Sequence, residues 1–193
     1  TGSNAAWTHP VLFQRIERAK LRNPDMKVVV VDPRETDSCS LADLHVALKP
    51  GTDAVLFCGL LNYLAHHNSL DDTFIQNSTN GFAEALAEAS PWTVAKVAET
   101  CDVPVNLIEQ LFNWFASLPR AITFFSMGIN QSTSGVDKGN AIINCHLASG
   151  KIGKEGSGPF SITGQPNAMG GREVGGLSNM LAAHMDIDNP QHH

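Results

Sequence analysis

The sequence predicts an α/β fold with a parallel sheet that carries helices on both faces. Residues 27–32 (KVVVVD) form a continuous β-branched run, which is typical of a strand buried on both faces. Residues 120–125 (RAITFF) form a second strand-like run. Segments with helical spacing stand between and around these runs, and the alternation of helix, loop and buried strand indicates a doubly wound sheet.

The first predicted helix spans residues 10–21, where a proline occupies the first turn and apolar residues recur at helical spacing. An Asn-Pro pair stops it before the valine strand. A second helix is predicted to begin with Thr52 as its N-cap and to continue to about residue 64. Residues 66–80 read as a polar connection that contains one short ordered piece.

Three further helices are predicted before the second strand. The first covers residues 82–89. The next has Ser90 as N-cap and Pro91 at its first position, and ends near residue 100. The third begins at Pro104 and keeps its apolar residues on one face up to residue 118.

The region after the second strand changes in composition. Residues 126–131 are predicted to form a loop, followed by a helix over 138–149 that ends at Gly150 as its C′ residue. Beyond it Gly, Pro, Ser and Asn dominate, and only one further helix is expected, near residues 174–184. We place a domain boundary between residues 118 and 119.

Composition excludes several function classes. The net charge of −6 provides no basic stripe for nucleic acid, and no apolar run approaches the ~18–20 residues that span a bilayer. The four cysteines are widely spaced and form no CxxC pair, and the histidines have no metal-ligand spacing, so we assign no metal ligand in this chain. Reduced thiols are expected, which favours a cytoplasmic location.

Ligands of open parallel sheets collect at the carboxyl ends of the strands. The loop Gly2-Ser3-Asn4 precedes the first helix, and its small residues and free amides are suited to binding a phosphate. The alternative is that this sequence is a vector-derived remnant. Asp32 closes the valine strand. Its carboxylate suits ribose hydroxyls or purine N–H groups, or alternatively caps an Asx-type turn.

Two other loops belong to the same predicted edge. After the second strand, Gly128 permits close backbone approach and Gln131 offers an amide, although an ordinary strand-to-helix turn would look the same. At the start of the second helix, Asp53 follows Gly51 and Thr52. Its carboxylate either complements the helix dipole or accepts from a guanine-like N–H edge.

Residues 164–175 (GQPNAMGGREVG) combine four glycines and two amides with one arginine, Arg172. The rigid fork of a guanidinium is suited to a planar oxyanion, while a mobile loop with a solvated arginine is the alternative. The chain has no GxSxG elbow, no Cys–His pair and no paired carboxylates in an apolar setting. This pattern indicates a holder for a cofactor that performs the chemistry.

Five segments occur in the order seen in molybdopterin oxidoreductases: GSNAAWTHPVLF, VVVVDPRETDSC, ALKPGTDAVL, FSMGINQSTSG and GKIGKEGSGPFSITGQPNAMGGREVGG. Over essentially its whole length the chain resembles the catalytic subunits of bacterial assimilatory nitrate reductases, which are of the bis-molybdopterin guanine dinucleotide type. The resemblance implies a three-layer, Rossmann-like sheet whose first strand precedes residue 1, followed by the start of a second α/β domain.

The resemblance also implies a role for each matching residue, grouped along the cofactor. The residues that would contact the phosphates are Gly2, Ser3, Asn4 and His9. Those that would contact ribose or base are Asp32, Pro33, Arg34, Glu35 and Thr36, and those that would contact guanine are Gly51, Thr52 and Asp53. The pterin would be contacted by Met127, Gly128, Gln131, Gly164 and Gln165. Arg172 would line the nitrate funnel.

In the family pattern, a [4Fe-4S] cluster and the cysteine ligand of molybdenum lie upstream of residue 1. The resemblance therefore implies an internal piece of a larger enzyme that is inactive alone. Its partners would be nitrate, the remaining domains, and an electron donor such as ferredoxin, flavodoxin or an NADH-linked subunit. The alternatives are a piece of a related formate dehydrogenase or periplasmic nitrate reductase, and a stand-alone nucleotide-binding module.

Overall fold

The computed structural model describes residues 1–162, 168–176 and 180–192. The chain divides into two compact units, Thr1–Ile162 and Thr163–His193, each of which is described separately. Within the described residues, no helix combines the length and the apolar content needed to cross a bilayer.

The chain opens with a short helix α1 (Ala5–Thr8) and the predicted helix α2 (Pro10–Arg22), which has proline at its first position. The valine run contributes strand β1, which is limited to Val29–Val31. Only Val31 of this strand is buried, so the prediction of a strand buried on both faces is wrong. The β-branched run indicated the backbone conformation, but burial depends on what covers each face.

Strand β2 (Leu44–Val46) was not predicted. It follows a 3₁₀ turn (Asp37–Leu41) and pairs in parallel with β1, with Val29 opposite Leu44 and Val31 opposite Val46. Its sequence is only Leu-His-Val, too short for an alternating pattern to stand out. The buried Leu44 and Val46 make it part of the core.

Five helices follow: α3 (Asp53–His66), α4 (Asp72–Ser78), α5 (Phe82–Ala89), α6 (Val94–Cys101) and α7 (Val105–Ser117). Helix α3 lies at the centre and packs against α5, α6, α7 and the later helix over residues 135–148. Its fully buried Leu56, Leu60 and Leu64 meet Ile108 and Phe112 of α7 in one hydrophobic core.

One predicted N-cap is confirmed and the other is wrong. Thr52 is the N-cap residue of α3, as predicted, but its hydroxyl donates to the Lys49 carbonyl at 2.7 Å and makes no capping bond to the helix. Ser90 does not begin α6; it is the C-cap of α5, and its αR backbone conformation precludes the extended geometry of an N-cap. Thr93 caps α6 instead, accepting from the Lys96 amide.

The rest of the first unit contains β3 (Ile122–Phe125), α8 (Met127–Asn130), α9 (Gly135–Ala148) and β4 (Gly158–Ser161). Strand β4 pairs in parallel with β3 and was not predicted, because its Gly-Pro-Phe-Ser sequence lacks strand propensity. The structure has helix α8 in the segment 126–131, which was predicted to be a loop. Gly150 follows α9 with a φ of +61°, as expected for its C′ residue.

The first two residues link the two strand pairs. The Thr1 nitrogen donates to the Phe124 carbonyl at 2.7 Å, and the Gly2 amide donates to the Val31 carbonyl at 3.1 Å. The backbone of residues 1–2 therefore lies between β1 and β3. The α/β class with parallel sheets is confirmed, while the three-layer Rossmann-like arrangement and the boundary at 118/119 stay predictions.

In the second unit, helix α10 (Ala168–Glu173) occupies part of the segment predicted as a Gly-rich loop. The helix expected near 174–184 is not found in the described part of that range, which contains a turn at Gly175 (φ +69°) and a 3₁₀ turn over Ala182–His184. The His184 Nε2 atom lies 2.6 Å from a Glu173 carboxylate oxygen. This contact joins α10 to the 3₁₀ turn.

His146 and Lys151 belong to a buried hydrogen-bond network that contacts Thr123 of β3. His146 of α9 is fully buried, its Nδ1 atom lies 3.0 Å from the Lys151 carbonyl oxygen, and its Nε2 atom lies 2.7 Å from the Thr123 hydroxyl. Because a carbonyl only accepts, Nδ1 carries the proton, and Nε2 of the neutral ring accepts from Thr123. The Lys151 amine donates to the carbonyls of Phe115 and Ala116 at the end of α7.

This network predicts sensitivity to acid. Burial lowers the pKa of His146 to about 4, against the opposing effect of the Lys151 carbonyl. Because the unfolded ring binds a proton near pH 6.5, the chain should lose about 3 kcal/mol of unfolding free energy as pH falls from 6.5 to 4. Urea unfolding of wild type and His146→Gln at pH 7, 5.5 and 4.5 measures this. The same pH dependence in both proteins would contradict the assignment.

Candidate functional site

The structure brings together two predicted loops at the carboxyl end of β3. The Gly128 amide donates to the Gly2 carbonyl at 2.9 Å. A Cβ added at Gly128 would lie 2.7 Å from the Gly2 Cα, and Gly2 itself has a φ of +58°. Only glycine permits this contact between two backbones, so both glycines are required by geometry.

A second contact joins the first loop to the segment after β1. The Ser38 hydroxyl donates to the Asn4 side-chain oxygen at 3.0 Å and accepts from the Ala6 amide at 3.0 Å. The Trp7 indole donates to the Asp37 carboxylate. Ser38 was missed by sequence reasoning, and a serine within a polar stretch carries no signal that could have singled it out.

Three hydroxyls near these contacts, those of Thr1, Ser3 and Thr36, are buried, and none has a hydrogen-bond partner among the described residues. Ser3 precedes Asn4, and Thr36 stands two residues before Ser38, so both flank the contact between the two loops. A buried hydroxyl without a partner destabilises the protein by about 1–3 kcal/mol. These groups are therefore suited to hydrogen-bond a polar ligand.

Asp32 is buried at the end of β1, and its carboxylate accepts from the Arg34 amide at 2.9 Å. The Asx-type turn considered from the sequence is therefore formed. A carboxylate has about four acceptor positions, so this bond does not exclude a ligand. Arg34, together with Pro33 and Glu35, is exposed to solvent next to this turn.

Asp53, the first residue of α3, is buried and forms an ion pair with Lys138 of α9. Lys138 was not identified from the sequence, because a lone lysine in a helix usually indicates a solvated face. Gly51 is exposed with a φ of +92°, while the Thr52 hydroxyl is engaged by Lys49.

The remaining predicted residues of the first unit lie at its surface or are half-buried. Met127 is half-buried at the start of α8, and Gln131 is exposed at its end. The His9 Nδ1 atom lies 2.8 Å from the Thr8 hydroxyl, between α1 and α2. These residues thus adjoin the loops already described in sequence.

Arg172 is exposed on α10 in the second unit. Gly164 and Gln165, which were predicted to contact a pterin, lie outside the described residues. Among the described residues, no three or more His, Cys, Asp or Glu side chains are grouped so that they could hold a metal ion.

The family model of the molybdopterin oxidoreductases matches residues 1–191. The chain belongs to this family. It is 57% identical to a nitrate reductase of Klebsiella oxytoca over 97% of the chain and 21% of that relative. It is 48% identical to a nitrate reductase of Shewanella frigidimarina, over 98% of the chain and 20% of the relative.

Two other comparisons widen this view of the family. A periplasmic nitrate reductase of Desulfovibrio desulfuricans is 39% identical over 99% of the chain and 27% of its own length. The solved structure of acetylene hydratase from Pelobacter acetylenicus matches with a TM-score of 0.69 and 25% identity, over 75% of this chain and 20% of that one. The chain thus spans between a fifth and about a quarter of the length of these molybdopterin proteins.

Membership of the molybdopterin oxidoreductases implies a molybdenum–pterin cofactor. The residues of the first unit fit such a group. The paired glycines keep the backbone free of side chains where the loops meet, and unpartnered hydroxyls stand beside them. Hydroxyls and backbone amides are groups that commonly bind phosphate oxygens.

Proposed function

We propose that this chain is part of the catalytic subunit of a molybdenum-dependent nitrate reductase, and that it holds the cofactor in its guanine dinucleotide form. The contact between Gly2 and Gly128, with the buried Ser3 hydroxyl next to Gly2 in the chain, is the observation that carries this proposal. The names of the relatives support nitrate as the substrate.

In this proposal the residues act by binding and orientation. The Ser3 and Thr36 hydroxyls donate to phosphate oxygens, and the two glycines allow the backbone amides to approach the ligand. Asp53 accepts from the guanine edge, and Arg172 binds the oxygens of nitrate through its guanidinium. The bound group supplies the two-electron reduction of nitrate to nitrite, with the transfer of one oxygen atom.

Several finer features belong to the same proposal. The assimilatory role and the cytoplasmic location rest on the sequence segments and on cysteine usage. A [4Fe-4S] cluster elsewhere in the full-length protein, an electron donor such as ferredoxin, flavodoxin or an NADH-linked subunit, and inactivity of the isolated chain complete it. A periplasmic nitrate reductase is the main alternative, favoured by the relative from Desulfovibrio desulfuricans.

Ser3→Ala tests the binding role in the full-length gene product. We expect a several-fold lower molybdenum content and a matching loss of nitrate reduction with reduced viologen. The stability of the cofactor-free protein should change by less than about 0.5 kcal/mol, because this hydroxyl has no hydrogen-bond partner among the residues that the structure describes.

The matched control is Ser38→Ala, which removes two hydrogen bonds between the loops. We expect it to lower the stability of the cofactor-free protein by about 1–3 kcal/mol. Unchanged molybdenum content in Ser3→Ala would contradict the binding role of that hydroxyl. A wild-type protein that oxidises formate, or acts on another substrate, and does not reduce nitrate would overturn the proposed reaction.

A further inference from the structure

The ion pair between Asp53 and Lys138 is nearly closed to solvent. The Lys138 Nζ atom lies 2.7 Å from the Asp53 Oδ2 atom, and the side chains are 3% and 10% exposed. Asp53 is therefore the more exposed member of the pair. The contact engages Oδ2, one of the two oxygens of the Asp53 carboxylate.

Both residues belong to helices that follow the carboxyl ends of strands. Asp53 begins α3 seven residues after β2 ends at Val46, and Lys138 lies in α9, which follows β3 through α8. Ligands of open parallel sheets bind at these ends of the strands.

Stability alone does not account for this pair. Lys138 is the fourth residue of α9, near the end of the helix where the dipole disfavours a cation. The free energy needed to remove two charges from water is about as large as the free energy gained from their attraction. A buried ion pair is therefore weak evidence for a stabilising role. A role in the neighbouring binding site explains why the charges are placed here.

We propose that Lys138 is a positioning residue that fixes the Asp53 carboxylate to recognise a guanine base; this inference rests on the proposed function. Lys138 holds one carboxylate oxygen from the buried side. The other oxygen then faces the site and accepts from the N1–H and N2–H groups of guanine, which lie on one edge of the base. A carboxylate held in one orientation loses less conformational freedom on binding.

The alternative role of the pair is to tie α3 to α9. The two roles differ in what they predict for base preference, because a purely structural contact does not discriminate between purines. Inosine diphosphate lacks only the 2-amino group of guanosine diphosphate (GDP). The ratio of their affinities therefore reports recognition of that amino group and is insensitive to a general change in stability.

The test uses the cofactor-free full-length protein, titrated calorimetrically with GDP and with inosine diphosphate. We expect the wild type to prefer GDP by about tenfold, as one hydrogen bond to a charged acceptor allows. Lys138→Met should bring the ratio close to one, and Lys138→Arg should restore it in part. Lys154→Met is the control, because Lys154 is exposed and pairs with Asp71 elsewhere.

Lys138→Met leaves a buried carboxylate without its partner and can impair folding. The double variant Lys138→Met/Asp53→Leu removes both charges and should fold, yet it should also lose the preference for GDP. A wild-type preference retained in either variant overturns the inference, and so does a wild type that does not distinguish the two nucleotides. Because no turnover is measured, a failure of the nitrate reductase proposal would appear separately.

Discussion

Gly128→Ala is expected to lower nitrate turnover by the full-length protein about a hundredfold, the effect of displacing a binding group by about 1 Å. The new Cβ would lie 2.7 Å from the Gly2 Cα, a distance that two packed backbones cannot accommodate without movement. The loop that carries Ser3 must then shift from α8. We also expect the free energy of unfolding to fall by about 1–3 kcal/mol, as in other overpacked sites.

Gly139→Ala is the matched control, because Gly139 lies in α9 and an added Cβ meets no atom within 4 Å. It should leave turnover unchanged and raise stability by up to about 1 kcal/mol, since alanine favours a helix over glycine. Viologen-linked assays, molybdenum analysis and urea unfolding compare the two variants. Equal turnover in Gly128→Ala and wild type would show that the close contact is not needed for cofactor binding.

Arg172→Ala is expected to reduce nitrate turnover about a hundredfold while molybdenum content stays at the wild-type level. The expectation follows from the proposed role, in which the guanidinium binds nitrate oxygens; loss of one such electrostatic donor typically costs about 10²–10³ in kcat. Steady-state assays with reduced viologen measure turnover, and metal analysis on the same samples measures the cofactor.

Two further variants define what Arg172 contributes. Arg172→Lys keeps the charge but loses the planar fork, so its activity should fall between those of wild type and Arg172→Ala. Arg22→Ala removes an exposed arginine from the end of α2 and should have no effect. Loss of molybdenum in Arg172→Ala would instead assign the residue to cofactor retention, and unchanged turnover would remove it from the site.

Long amphipathic helices were the best predicted parts of this fold. Helices α2 and α7 agree with their predicted ranges to within a few residues, because apolar spacing, proline and stop signals all lie within each segment. Strands β2 and β4 were missed, because three or four residues carry little pattern of their own. Their pairing with β1 and β3 depends on partners distant in sequence.

Residue type identified the N-cap position of α3 but not that of α6. Thr52 occupies the N-cap of α3, although its hydroxyl bonds to the Lys49 carbonyl. Ser90 is held in the last turn of α5 and is unavailable to the next helix. Several residues compete for each terminal position, and the sequence pattern does not rank them.

The sequence by itself determined the α/β class, the family resemblance and the loops at the carboxyl ends of the strands, because these depend on local patterns and ordered motifs. Only the tertiary structure decided that Gly2 touches Gly128, that the Ser3 and Thr36 hydroxyls lack partners among the described residues, and that Lys138 pairs with Asp53. Each of these features joins residues 80 or more positions apart or depends on burial. Such contacts arise from packing of the whole unit, which no local pattern records.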